Sequence, residues 1–245
     1  HADVKSITNA LSTARIFFAI IFLYVSGALV LPPIFIRQDS SAVQPENFNE
    51  FLYQFPNFSL TAILYFVFWC TIFCVICVFY NRSLSNNLQK TKPSIKTCIA
   101  KSFIAFSAIV AFWTVVSLLF SSKLQAAPSE TNPRWILFFA GVFCAAAFEE
   151  SLYRLYLPES FLFLIENTKL KSKNARFYKI SKIAAEILCV LLFALAHRYL
   201  GILAVLNALF AGSVLRRLAK QTNIICSWLV HSLYNCLIFA FAIFQ

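Results

Sequence analysis

The chain has no methionine at all, and only four glycines, three histidines and ten acidic residues in 245 positions. Without methionine the native start is expected to be missing or altered, so His1 is set aside as an altered end. Charged residues reach only 13% against 60% hydrophobic, which excludes a soluble globular domain of ordinary composition. With a mean hydropathy of +0.74, the chain reads as an integral membrane protein in a lipid bilayer. No separate basic domain accompanies the net charge of +11, and the positive residues fall in short segments between apolar runs. That placement excludes a nucleic-acid partner and marks the charges as topology signals. All eight cysteines lie in or beside apolar runs, where they act as small hydrophobes, so no disulfide framework is expected. Cys70, Cys74 and Cys77 share a helical face, but the second pair of a thiolate metal site is missing. Internal repeats and low-complexity tracts are also absent.

A membrane span needs about 20 apolar residues. The runs predict helices near 12–36, 59–80, 98–120, 134–157, 183–198, 200–216 and 223–244, the fifth and sixth divided by a tight turn at His197–Gly201. The fold expected is all-α, a polytopic transmembrane bundle of about seven spans. Two parts are expected, three helices over 1–133 and a core of four over 134–245. Pro32 and Pro33 are expected to kink or end the first helix, and 37–58 has room for a short surface helix. Connections 81–101, 158–182 and 217–222 are rich in Lys and Arg, while 37–58 and 121–134 are not. The positive-inside rule then places the N-terminus in the cytoplasm and the C-terminus outside.

Against this apolar background, Glu149, Glu150 and Arg154 fall within six positions. Each ionisable group at membrane depth costs roughly 2.5–3.5 kcal/mol on insertion scales, so the default reading is a functional site. Residues four apart share a helical face, so Glu150 and Arg154 are predicted to pair while Glu149 points elsewhere. The same spacing links Phe193 with His197 and His231 with Asn235, and, near the cytoplasmic edge, Lys182 with Glu186. Asn207 is a candidate bridge between helices. Gly141 and Ala145–Ala147 are small enough to let a neighbouring helix approach closely.

FEESLYR (Phe148–Arg154) fits EExxxR, FALAH (Phe193–His197) fits FxxxH and HSLYN (His231–Asn235) fits HxxxN. In this order the three motifs resemble the CPBP family of intramembrane proteases, also called the Abi or CAAX-protease family. The resemblance covers about 134–240. It implies an endopeptidase acting on a membrane-associated peptide or protein. Glu149 and His197 would hold and deprotonate a water, His231 and Asn235 would donate to the oxyanion, and Glu150 with Arg154 would hold the helix in place.

Two His and one Glu are also a catalytic zinc set, so Glu149, His197 and His231 are candidate ligands for Zn2+ with Glu150 as base, although HExxH is absent. Metal-bound and metal-free chemistry both stay open. At ~1.5 Å per residue, His231 lies roughly 16 Å from Lys220, His197 roughly 22 Å from Lys182 and Glu149 roughly 30 Å from Lys169. The groups meet if the fourth helix continues past the membrane into Pro158–Leu164, with the site opening toward the cytoplasm. Two other classes fit the composition: a non-proteolytic scaffold, immunity or regulatory protein of the same fold, and a proton-coupled transporter, whose inverted repeats are not seen.

Overall fold

The computed structural model describes residues 20–35, 68, 70–75, 93–120, 135–166 and 174–243. Over these residues the chain is an all-α bundle, with no strand among them. The helices are α1 (Leu31–Phe35), α2 (Ile95–Leu119), α3 (Trp135–Glu150), α4 (Leu157–Glu166), α5 (Ala175–Leu195), α6 (Ile202–Gln221) and α7 (Ile224–Ile243). Among the described residues, α2 and α6 are long and apolar enough to cross a membrane on their own composition. The surface helix expected within 37–58 lies outside the described residues, as does most of the second span.

Several helix starts follow from short polar side chains that accept a free backbone N–H of the first turn. Ser94 Oγ accepts from Thr97 N at 3.2 Å ahead of α2, and Asn174 Oδ1 from Phe177 N at 3.0 Å ahead of α5. Asn223 Oδ1 accepts from Cys226 N at 2.9 Å ahead of α7. The tight turn predicted at His197–Gly201 is a single 3-10 turn, Arg198–Leu200, closed by Gly201 at φ +94°. That angle is open to glycine and strained for most other residues.

Two helices widen where proline follows. A π turn at Ser26–Val30 leads into α1, which carries Pro32 and Pro33, and a second at Ser151–Tyr156 joins α3 to α4, which carries Pro158. Proline gives no N–H to the carbonyl four residues before it, Ala28 in one case and Arg154 in the other, and both carbonyls lie inside the widened turns. Pro32 therefore does not end the first helix, which runs on to Phe35. Likewise the fourth predicted helix continues without a break to Glu166, past the Pro158–Leu164 stretch.

The sixth helix is the centre of the bundle. It packs on α5, α2 and α7, while α7 also lies on α3 and α2, and α4 lies on α5. One core cluster joins Leu152, Tyr153, Cys189, Phe193 and Ala208; a second joins Ile109, Leu215, Val230 and Tyr234. Stacked rings of Phe112 and Phe210, 4.1 Å apart, fix α2 to α6. Asn207 Nδ2 donates to the Tyr234 hydroxyl at 2.7 Å, the helix bridge expected of it. On the outside, large apolar side chains such as Ile99, Phe103, Leu118 and Ile187 stand exposed, as on a lipid-facing surface.

Candidate active site

The last two residues of α3, Glu149 and Glu150, meet His231 from α7. Small residues make the approach possible: Gly141 and Ala146 are buried where α3 lies on α7. Trp228 Nε1 adds a hydrogen bond to the Phe143 carbonyl at 2.9 Å across the same contact.

Glu150 is wholly buried and takes three partners. His231 Nδ1 donates to its Oε1 at 2.9 Å, Ser227 Oγ reaches its Oε2 at 2.5 Å, and Arg154 Nη2 lies 3.6 Å from Oε1. The predicted i,i+4 pair of Glu150 with Arg154 is therefore formed. Glu149 faces the other ring nitrogen, its Oε2 3.6 Å from His231 Nε2, and that oxygen has no hydrogen-bond partner. The Glu149 side chain keeps 29% of its surface exposed, against 1% for Glu150, although its unpaired Oε2 is itself buried.

Phe193 is the hub beneath these groups. The Arg154 guanidinium carbon sits 4.1 Å from its ring centroid, a cation–π contact. The rings of Tyr153, His197 and His231 stand edge-on to it at 5.4, 4.8 and 5.9 Å. His197 Nδ1 lies 2.9 Å from the Phe193 carbonyl, which only accepts. Nδ1 therefore carries a proton, and in the neutral ring Nε2 keeps its lone pair.

Of the six residues singled out by sequence, Glu149, Glu150, Arg154 and His231 are brought into direct contact. His197 joins them through the Phe193 ring, and Asn235, one turn beyond His231, makes no side-chain hydrogen bond among the described residues. Among those residues no three His, Cys, Asp or Glu side chains gather to hold a metal ion; Glu149, His197 and His231 do not form such a group. The pairing expected of Glu186 with Lys182 is replaced by others. Glu186 takes Arg216 Nε and Nη2 at 2.6 and 2.8 Å and Lys220 Nζ at 3.2 Å, while Lys182 donates to Glu166 at 3.3 Å. The i,i+4 rule sees one helix only, and here the better-placed partner comes from the next.

Three further residues complete the site without belonging to any motif. Ser227 stands one turn before His231 on α7, a position the helical-face rule reaches from His231. Gly212 lies in the middle of α6, where glycine costs about 1 kcal/mol relative to alanine, and that cost was its signal. A Cβ there would fall 2.8 Å from Phe193 Cδ1. Arg216, read as a topology charge, is buried and donates from Nη1 to the Arg154 carbonyl at 2.6 Å.

Residues 131–237 match the family model described as type II CAAX prenyl endopeptidase Rce1-like. The match covers just under half of the chain, and EExxxR, FxxxH and HxxxN all fall within it. A relationship to that family, of which the three motifs are reminiscent, thus holds for the Rce1-like region, the part that builds the Glu/His cluster. No curated protein and no solved structure matches the chain.

Proposed function

We propose that the chain is an intramembrane endopeptidase of the CAAX-protease type, in which Glu149 activates a water to hydrolyse a peptide bond in a membrane-associated protein or peptide. The observation that carries this reading is His231 held between two neighbouring carboxylates, one wholly buried and saturated, the other partly exposed and with one buried oxygen left unpaired. Glu150, balanced by Arg154 and bonded to Ser227, fixes the ring through Nδ1 and leaves Nε2 facing Glu149.

In the reaction, Glu149 takes a proton from water as the water oxygen attacks the scissile carbonyl carbon. With both ring nitrogens protonated, His231 donates Nδ1–H to Glu150 and Nε2–H to the developing oxyanion, and Asn235 donates beside it. The tetrahedral adduct then re-forms its carbonyl, the C–N bond breaks, and the proton on Glu149 passes to the leaving amine. His197, with its Nε2 lone pair free, is placed to accept a hydrogen bond from the water or substrate. The site opens toward the cytoplasm, the three basic connections lying on that side and the spans numbering seven. The matched family is described as a CAAX prenyl endopeptidase, and a prenylated substrate is one of this class.

The test compares membrane and secreted peptides from source cells making the native chain or its Glu149→Ala variant at equal expression. A precursor that accumulates uncleaved in the variant alone is the expected result and names the substrate. Indistinguishable peptide profiles would favour a regulatory scaffold of the same fold.

A further inference from the structure

The π turn that follows Glu150 leaves a backbone problem at the edge of the site. Pro158 has no N–H to give the Arg154 carbonyl four residues earlier. A buried carbonyl without a donor is costly, and Arg154 is only 1% exposed. The donor comes from another helix: Arg216 Nη1 reaches the Arg154 oxygen at 2.6 Å. Arg216 is itself fixed in two more directions, because Nε and Nη2 bind the two oxygens of Glu186 on α5. All three bonds use the rigid guanidinium plane, which a lysine does not offer.

The backbone that Arg216 holds is the one that aims Arg154. From that position the Arg154 side chain lies over Phe193 and 3.6 Å from Glu150, and Glu150 in turn orients His231. None of the Arg154 guanidinium nitrogens has a hydrogen-bond acceptor of its own, so its place depends on the backbone beneath it and on the Phe193 ring. Gly212, one turn before Arg216 on the same face of α6, leaves the space in which that ring sits.

We propose that Arg216, braced by Glu186, is a positioning residue: it supplies from α6 the hydrogen bond that Pro158 withholds, and so sets the register of Arg154, Glu150 and His231. The role in catalysis rests on the proteolytic reading; the role in placing His231 does not.

The chain has only three histidines, so histidine-selective isotope labelling gives a sparse ring spectrum in which His231 is assigned by its own loss in a His231→Gln variant. The full-length protein in lipid nanodiscs is compared with Arg216→Ala, Arg216→Ala/Pro158→Ala and Arg216→Ala/Glu186→Gln, and precursor processing is followed in cells. Arg216→Ala is expected to move the His231 ring signals and slow processing about tenfold, equivalent to ~1.4 kcal/mol. Adding Pro158→Ala returns an N–H to position 158 and moves both readouts back toward the parent; adding Glu186→Gln does not. Unmoved His231 signals in Arg216→Ala, recovery with Glu186→Gln, or recovery with neither second substitution would overturn the proposal. His231 signals that move and recover while Glu149→Ala leaves processing intact would keep the positioning role and remove the proteolytic reading.

Discussion

Two ionic clusters meet at the Ser151–Tyr156 turn, through the side chain and the carbonyl of Arg154, and they are built to opposite standards. Around Glu186 every strong group is matched: Arg216 binds both carboxylate oxygens, Lys220 adds a third contact, and the remaining Arg216 nitrogen finds a carbonyl. Around His231 matching is incomplete, since the Arg154 nitrogens lack acceptors and Glu149 Oε2 lacks a donor. Buried polar groups are nearly always satisfied in native proteins, and the exceptions concentrate where chemistry occurs. The saturated cluster therefore acts as a brace. The unsaturated one retains groups that can form new bonds when a substrate enters.

The contrast breaks most sharply at Glu149. Glu149→Gln keeps shape and polarity but cannot accept a proton, so product formation should fall by about 10²–10⁴-fold. The thermal unfolding midpoint should stay at the parent value, because no strong bond is lost; mass spectrometry of products and a melting curve check the two halves. Arg154→Leu acts mainly on stability. It leaves Glu150 buried without the Arg154 charge, a change expected to cost about 3–5 kcal/mol and to appear as a large drop in the unfolding midpoint.

Gly212→Ala sharpens the comparison at the hub. Its new Cβ must displace the Phe193 ring, at a cost of about 1–3 kcal/mol. Adding Phe193→Leu removes the ring atoms in the way and should restore the unfolding midpoint in part, while processing stays low because the support for Arg154 and both histidines is gone.

The smallest effect belongs to the exposed pair Lys182–Glu166, where Lys182→Met should cost no more than about 0.2–1 kcal/mol. Burial alone would lower the Lys182 pKa, but its hydrogen bonds to Glu166 and Tyr178 outweigh that and hold it above the usual 10.5. With the folded-state value the higher one, the contribution of the pair is complete below 10.5 and fades as pH rises through the raised value. Unfolding midpoints of parent and variant should therefore converge at alkaline pH.

Much of the site was legible because its residues repeat at helical spacing on an apolar background. Glu150 with Arg154 is such a pair; Ser227, one turn before His231 on the same face, was within reach of that rule but was not singled out. What escaped was contact between helices. Glu186 was matched to Lys182 on its own helix, whereas its real partners lie on α6. Arg216 resembled every other basic residue near a membrane edge, and its burial appears only when α6 lies against the turn before Pro158. The turn itself had a signal in Pro158, whose missing N–H requires a donor from elsewhere. The all-α class followed from composition together with the lengths of the apolar runs, while the arrangement expected before residue 93 falls largely outside the described residues.

Whether Glu149 activates water is tested most directly by isotope incorporation. Membranes from cells making the native chain or Glu149→Gln are incubated in water enriched in oxygen-18, and the new C-termini are read by mass spectrometry. Hydrolysis predicts that the native chain generates C-termini bearing a single heavy oxygen, and that these are absent or reduced at least about 100-fold in Glu149→Gln. Labelled termini in equal amounts from both membranes, or none from either, would contradict it.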